Sequence, residues 1–272
     1  MNPAVVASLR CPVCGDPVAG ERTLRCPGGH SFDVARHGYV DLTGGRLTHA
    51  GDTVEMVAAR AELLAAGHFQ PLTDAIVRTV SGFPPGLVVD VGAGTGHHLA
   101  ALLGARPSDP GLALDVSKPA LRRAARAHPR LAAARADAWR RLPVADGAAG
   151  LVLDVFAPRS GPEFHRILRA DGALVVVTPD QDHLIELVAA LDLLRVDPDK
   201  EQRLAGTLER WFTPVSRDRH RWPLHLSGDE AAAAVRMGPS AWHADAGRIA
   251  GPVTVTASVV VTLWRPKGDI RA

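Results

Sequence analysis

Three cysteines and one histidine stand close together near the start of the chain, as Cys11-Pro12-Val13-Cys14 and Cys26-Pro27-Gly28-Gly29-His30, and they use up the whole cysteine complement. Two cysteines separated by two residues form a tight knuckle that aims both thiolates at one ion. The segment between the pairs is long enough for a hairpin that returns the second pair. The spacing predicts a tetrahedral zinc site at Cys11, Cys14, Cys26 and His30. Gly15, Gly28 and Gly29 follow the Cys-Pro pairs and let the backbone turn around the metal. Four protein ligands leave no open coordination position, so such a site builds a fold and the chemistry must lie elsewhere in the chain.

A second constellation offers that chemistry. Leu87-Val88-Val89-Asp90-Val91 runs directly into Gly92-Ala93-Gly94-Thr95-Gly96, and a helical pattern follows. A strand, a glycine turn and a helix N-terminus bring backbone N–H groups close to a ligand at the carboxyl edge of a sheet. His97 stands where a dinucleotide fingerprint has its third Gly or Ala, and no Gly-Lys-Ser/Thr follows, so neither a nicotinamide site nor a triphosphate loop is indicated. Asp115 ends the next apolar run, where a carboxylate can accept hydrogen bonds from both hydroxyls of a ribose. Its alternative there is a helix cap for the segment beginning at Ser117.

The elements that must position these residues follow from periodicity. Residues 1–42 read as the zinc finger, with Ser31–Asp33 and Gly38–Leu42 as short strands closing its hairpin. Residues 43–84 read as a Gly-rich linker followed by two helices, one through Val54, Met56, Val57, Ala61, Leu63 and Leu64, the other over Pro71–Val80. From residue 85 onward apolar runs at 87–91, 112–116, 131–136, 151–155 and 173–178 alternate with helical segments near 96–104, 118–128, 160–169 and 181–195. That alternation predicts a doubly wound parallel α/β sheet filling residues 85–272. The last alternating run, Val253–Trp264, reads as an antiparallel edge strand.

On these residues the chain resembles the class I, Rossmann-like S-adenosylmethionine-dependent methyltransferases, whose first motif is matched by Asp90-Val91-Gly92-Ala93-Gly94-Thr95-Gly96. The resemblance implies that Asp90, Gly92, Gly94, Thr95 and Gly96 surround the methionine part of the cofactor. Asp115 would then hold the ribose, and Asp137 with Ala138 would meet the adenine. Val155-Phe156-Ala157-Pro158 occupies the place of the substrate-facing fourth motif.

Finger and catalytic domain together resemble the RlmA-type 23S rRNA guanine-N1 methyltransferases, including the macrolide-resistance branch for tylosin and mycinamicin. Further motifs carry this likeness: Gly51-Asp52-Thr53-Val54-Glu55-Met56, Ala59-Arg60, Gly67-His68-Phe69-Gln70-Pro71-Leu72, Thr178-Pro179 with His183-Leu184, and Met237-Gly238-Pro239-Ser240-Ala241-Trp242. It implies that Phe69 and His183 lie against the cofactor and that a homodimer acts on a 23S rRNA hairpin. It also implies methylation in hairpin 35, with position 748 favoured over 745. Guanine N1 carries a proton at neutral pH, so methylation there requires a proton acceptor. Asp52, Glu55, Asp154, Asp180 and His183 are the candidates, and the sequence does not choose among them.

Two other readings compete: a methyltransferase acting on a small natural product, and a non-catalytic zinc RNA-binding adaptor. The intact glycine loop and Asp115 speak against the adaptor. A basic segment from Lys118 to Arg141 reads as a helix carrying Lys118, Arg122, Arg123, Arg126, Arg130, Arg135, Arg140 and Arg141 against Asp137 alone, a surface that could track RNA phosphates. Only three of the 31 basic residues are lysine (Lys118, Lys200 and Lys267), which together with abundant Ala, Gly and Pro fits a GC-rich genome. A net charge of +2 permits a nucleic-acid partner without demanding one. No apolar stretch of about 18 residues occurs and the first residues lack a signal-peptide pattern. With cysteines in a metal pattern, a cytoplasmic protein with no membrane partner and no stable protein partner is expected.

Overall fold

The computed structural model describes residues 1–47, 50–191, 206–238 and 251–268. The end of the expected helix at 192–195 and residues 239–242 of the last motif lie outside the described residues. No helix among the described residues is long and apolar enough to cross a membrane.

After a short helix α1 (Pro3–Val6), the strands β1 (Thr23–Arg25) and β2 (Ser31–Asp33) form an antiparallel hairpin whose turn is the second knuckle, Cys26 to His30. Then come β3 (Tyr39–Asp41), α2 (Val54–Ala65), α3 (Gln70–Thr79), β4 (Leu87–Val91), α4 (His97–Ala105) and β5 (Gly111–Asp115). They are followed by α5 (Lys118–Ala127), β6 (Leu131–Arg135), β7 (Ala149–Val155), α6 (Gly161–Ile167), β8 (Leu168–Pro179) and α7 (Ile185–Leu191). The chain closes with β9 (Phe212–Leu226), a further helix α8 (Gly228–Arg236) and β10 (Val253–Pro266). One eight-stranded sheet has the order β3-β6-β5-β4-β7-β8-β10-β9. The strands from β3 to β8 are parallel, and β10 and β9 add on in antiparallel fashion.

All five residues of β4 are buried, as a parallel strand covered on both faces requires. Val88 and the helices α3, α4 and α5 pack on one face. Leu87, Val89 and Val91 face the zinc module and α6 on the other. The helix starts are capped locally: Thr53 Oγ1 accepts from Met56 N–H (3.2 Å), Ser117 Oγ from Ala120 N–H (3.3 Å), and Ser227 with Glu230 forms a capping box at α8.

Three expectations need correction. Tyr39–Asp41 meets the zinc hairpin only through an antiparallel Val34–Val40 bridge and the Ala35 N–H to Tyr39 O bond (2.8 Å); its ladder is the parallel one with β6, Val40 opposite Ala134. Tyr39 and Val40, which point to opposite faces, are both buried, as an edge position in the large sheet beside β6 allows. The last strand, by contrast, is not at the edge. β10 is buried along most of its length because β9 lies outside it, and the polar Arg217-Asp218-Arg219-His220-Arg221 run of β9 hides that edge strand from a search for apolar alternation.

The basic segment is not one helix. Only Lys118, Arg122, Arg123 and Arg126 lie on α5, all of them exposed, and its buried stripe is Ala120, Leu121 and Ala124. Arg130 turns inward, where its guanidinium donates to the carbonyls of Leu103, Arg106 and Asp109 beyond the end of α4. Arg135 donates to Val116 O and pairs with Asp41, while Arg140 donates to Arg46 O (2.7 Å) and Arg141 faces Asp146. A guanidinium spent on backbone carbonyls is not available to phosphates. Arg130→Met should therefore lower stability by about 2 kcal/mol by stranding those carbonyls. In a thermal melt that is a fall of roughly 4–8 °C. Arg122→Met, on the exposed side of α5, should leave the midpoint nearly unchanged.

Candidate functional site

The zinc ligands converge as the spacing predicts. Cys11 Sγ lies 3.6 Å and Cys26 Sγ 3.4 Å from His30 Nδ1, Cys14 Sγ lies 3.6 Å from Cys26 Sγ, and all four ligand atoms fall within 4.8 Å of one another. Ligands on tetrahedral zinc, at about 2.3 Å for sulfur and about 2.0–2.1 Å for nitrogen, stand roughly 3.6–3.8 Å apart, so the donor set fits this ion. Each knuckle is closed by a glycine N–H: Gly15 to Cys11 O (2.9 Å) and Gly29 to Cys26 O (3.0 Å), with both glycines in the left-handed region. The module is docked on the sheet. Arg10 N–H donates to Pro143 O (3.0 Å), Leu9 bridges Val144, and β3 enters the sheet beside β6.

At the carboxyl edge of the parallel strands the glycine loop makes a close crossing. Gly92 has φ +73°, and a Cβ there would stand 2.5 Å from the Cβ of Ala157, in the turn after β7. The loop is tied to Asp115. Gly94 N–H donates to Asp115 Oδ2 (2.8 Å) and Ser117 N–H to Oδ1 (2.7 Å), so each oxygen holds one backbone donor and keeps a free lone pair. Burial nevertheless keeps the Asp115 carboxyl above the usual carboxylate range, with Asp52 adding to the shift and Arg60 opposing it. Its desolvation outweighs the two donors, and hydroxyl groups of a ligand would supply more. Ser117, not Asp115, is the helix cap.

Asp90 is buried under the loop, and burial, with Asp154 and Asp115 nearby, pushes it up to about 8. Thr95 and Gly96 are buried at the start of α4. Asp137 turns its carboxylate into its own turn, accepting from Trp139 N–H (3.0 Å) and facing Arg140 at 3.6 Å. Ala138 beside it is half-buried, and Trp139 is 62% exposed.

An aromatic row crosses the mouth of the site. Phe156 lies 5.9 Å from His183, His183 lies 6.4 Å from Phe69, and Phe69 meets Trp222 edge-on at 6.1 Å. Phe69 is buried in the core, and Phe156 is 45% exposed. Phe156 and Leu184 are non-glycine residues held at φ 55° and 54°, a strained backbone for bulky side chains. Ser258 N–H donates to His183 Nδ1 (3.2 Å), and burial pushes the imidazole down to about 4. The ring is therefore neutral with its proton on Nε2, and it presents a donor, not a proton acceptor.

The remaining acceptor candidates separate on geometry. Asp180 is committed to Arg219 (2.6 Å), Ser258 Oγ (3.1 Å) and Gln181 N–H (2.9 Å). Glu55 is exposed in the first turn of α2, where Thr53 and the helix N-terminus hold its carboxyl below the usual range. Asp52 pairs with Arg60, and Ser117 Oγ donates to the Asp52 carbonyl (2.8 Å). Asp154 is fully buried, takes Arg159 Nε on Oδ1 at 2.9 Å, and leaves Oδ2 without a partner. Burial pushes it up to about 7 against the pull of Arg159.

Comparison with known proteins agrees with this architecture. The RlmA N-terminal zinc-ribbon family matches residues 9–43. The 23S rRNA (guanine(748)-N(1))-methyltransferase of Streptomyces fradiae is 51% identical over 98% of this chain and 99% of its own length. A Micromonospora griseorubida protein named for 23S rRNA guanine-N1 methylation is 53% identical over 98% of this chain and 100% of its own. The chain belongs to the RlmA family of 23S rRNA (guanine-N1)-methyltransferases. Among solved structures, the YcgJ protein of Bacillus subtilis superposes with a TM-score of 0.51 at 15% identity, covering 72% of this chain and 98% of that one, a likeness of fold alone.

Membership brings S-adenosylmethionine and zinc as the family's bound groups, and the residues present fit both. The zinc donor set has tetrahedral spacing, and the cofactor edge offers a glycine cradle with no room for a Cβ at Gly92 beside a carboxylate short of donors. The sequence reading passed over Arg60, Ser117 and Trp222 as site residues, and it placed Phe156 in a motif without giving it a role. Only the strained turn and the packing reveal them. Purified protein should carry about one zinc per chain by plasma emission, and Cys26→Ser should lose most of it, since three ligands bind far more weakly than four. Full occupancy in that variant would remove Cys26 from the ligand set.

Proposed function

We propose that this chain transfers the methyl group of S-adenosylmethionine to N1 of the guanine at position 748 in hairpin 35 of 23S rRNA. The modified ribosome would then resist macrolides such as tylosin or mycinamicin. The observation that carries the reading is the match over almost the whole chain to the Streptomyces fradiae position-748 enzyme, together with a glycine loop and an Asp115 intact for binding. A methyl at the drug-proximal guanine would block glycosylated macrolides by contact and leave the drug itself unchanged. The reading includes a homodimer working in the cytoplasm, whose two zinc modules flank the RNA. A natural-product methyltransferase would have no use for a zinc module locked to the sheet edge, and an adaptor would have none for the glycine cradle.

In this reading Asp115 accepts from the ribose hydroxyls, Asp137 and Ala138 border the adenine, and the segment from Asp90 to Gly96 borders the methionine. Phe69 and His183 line the cofactor side of the mouth. The bound cofactor supplies an electrophilic methyl on a sulfonium. The target guanine must leave its stack to reach the site, and a hairpin loop makes that easier than a paired stem. The exposed ring of Phe156, next to His183, offers a platform for an unstacked base. His183 Nε2–H is a donor suited to a carbonyl oxygen of that base, such as guanine O6.

Asp154 fits the role of proton acceptor best. It stands two residues before Phe156, has one oxygen without a partner, and loses its proton near neutrality. A general base works best with a pKa close to the operating pH. The rate should therefore rise with pH through about 7, as the carboxyl ionises. Asp154→Asn should lower kcat by about 10²–10⁴-fold and abolish that limb while cofactor affinity stays near wild type. An unchanged pH profile in the variant would take Asp154 out of the reaction.

The choice of base is read directly by primer extension on rRNA from a host expressing the chain, because N1-methylguanine cannot form a Watson–Crick pair. A stop at position 748 with raised tylosin tolerance is the expected result. A stop at 745 with unchanged sensitivity would move the chain to the other branch of the family.

A further inference from the structure

Arg60 and Asp52 form an ion pair over the cofactor loop, each side chain 27% exposed. Four contacts hold it there. Arg60 Nη2 donates to Met237 O at the end of α8 (2.7 Å), and Arg60 Nη1 lies 3.5 Å from where a Cβ on Gly94 would stand. Ser117 Oγ fixes the Asp52 carbonyl, and Gly51 is pressed so closely on Ser117 that a Cβ there would meet its backbone at 2.8 Å. One positive and one negative charge are thus aimed at the same short stretch of loop, within electrostatic range of Asp115. α2 contributes the arginine, and the linker contributes the aspartate, whose carbonyl Ser117 Oγ holds in place.

A partly exposed ion pair is worth little to stability by itself, because water screens it and the side chains lose freedom. It is, however, the electrostatic complement of a zwitterion. An α-amino acid entering between the two side chains gives the guanidinium a carboxylate and the carboxylate an ammonium, so both charges exchange one partner for another and neither is stranded. The planar guanidinium suits a carboxylate bidentately. We propose that the Asp52–Arg60 pair is the receptor for the amino-acid end of the cofactor, Arg60 taking its α-carboxylate and Asp52 its α-ammonium. This rests on cofactor binding at the Gly92–Gly96 loop and gives Asp52 a binding duty in place of proton transfer.

The test is a double-mutant cycle between protein and ligand, read by calorimetric titration of the full-length zinc-loaded chain. S-adenosylhomocysteine carries the zwitterion, its decarboxylated analogue lacks only the carboxylate, and 5′-methylthioadenosine lacks the whole amino-acid end. Wild type should bind S-adenosylhomocysteine at least about tenfold more tightly than the decarboxylated analogue, the scale of a charge-assisted contact. Arg60→Met should lose that preference, binding both ligands alike, while its affinity for 5′-methylthioadenosine stays within about twofold of wild type. Asp52→Asn should weaken S-adenosylhomocysteine and the decarboxylated analogue together, because both keep the ammonium, and spare 5′-methylthioadenosine.

Two outcomes would overturn the proposal. Equal weakening of all three ligands by Arg60→Met would make the pair a latch between linker, α2 and α8. A wild-type preference that persists in Arg60→Met would place the carboxylate elsewhere. Wild-type protein that binds none of the three would instead refute cofactor binding at the loop, a separate result. Should Arg60→Met fail to fold, the wild-type ligand series and Arg60→Lys decide the matter. The lysine keeps a charge but loses bidentate geometry, so it should retain part of the preference, and no preference in wild type would itself refute the role.

Discussion

One carboxylate, Asp115, holds the working edge of this molecule together. It accepts the N–H of Gly94 from the glycine loop and the N–H of Ser117 from the start of α5, so two separate turns share a single anchor. Ser117 then passes the connection on, since its hydroxyl caps α5 and also fixes the Asp52 carbonyl of the linker. From there Arg60 reaches Met237 at the end of α8. Linker, glycine loop, α5 and α8 are thus ordered by one short chain of polar contacts around the place where a ligand would sit. Each charged hydrogen bond in such a chain contributes on the order of 1.5–3 kcal/mol, and yet burial still keeps Asp115 raised. Desolvation outweighs the two donors, so the anchor gains from a ligand that brings hydroxyls.

The same logic extends along the edge. Asp90, Asp115 and Asp154 end or nearly end three adjacent strands, and burial raises all three. A cationic sulfonium is the kind of charge this edge favours, because its field relieves carboxylates that are poorly solvated. In the proposed reaction the guanine gives up a proton, and Asp154, raised to about 7 by burial, is the acceptor proposed for it. The strain at Phe156 and Leu184 belongs to the same region. Two bulky residues held in a left-handed backbone are kept there by strands on either side, Phe156 N–H bonding to Val177 O (3.1 Å) and Leu184 N–H to Thr256 O (2.7 Å).

What the sequence made legible was what is local in the chain. The zinc ligands are local, since two short knuckles contain all four of them, and so are the glycine loop and the apolar strands that feed it. Asp115 was legible because it ends a strand. The misplaced features are those whose meaning depends on distant partners. Arg130 looks like any surface arginine until the carbonyls beyond α4 are brought beside it, and the Arg-rich stretch of β9 looks like a solvated loop until β10 pairs with it along its length. β3 was assigned to the zinc hairpin because three residues cannot reveal which of two neighbours they pair with. Arg60 stands in a motif that gives it no role, and nothing local marks Trp222; the contacts that explain them, with Met237 O and His68 O, reach across 177 and 154 residues.

The pairing of β3 with β6 has a mechanical consequence. Had Tyr39–Asp41 paired with the hairpin alone, the zinc module would hang from the sheet by a flexible connection, and its position relative to the glycine loop would vary. Instead β3 is an integral edge strand beside β6, Arg135 pairs with Asp41 across the two (3.0 Å), and Arg140 donates to Arg46 O just beyond. A further tie joins Arg10 to Pro143, in the loop that also contains Trp139. The strand that carries the module into the sheet is thus neighbour to β6, whose end runs on into Asp137 and Ala138, the residues proposed to border the adenine. The zinc module and the parallel sheet are therefore held in fixed register by backbone pairing, which resists displacement far better than a hinge. Under the proposed function, a rigid offset of this kind suits a choice between neighbouring bases of one hairpin: if the zinc module grips the RNA and the glycine loop presents the methyl, the distance between them selects the base, and only a stiff connection can make that distance a criterion.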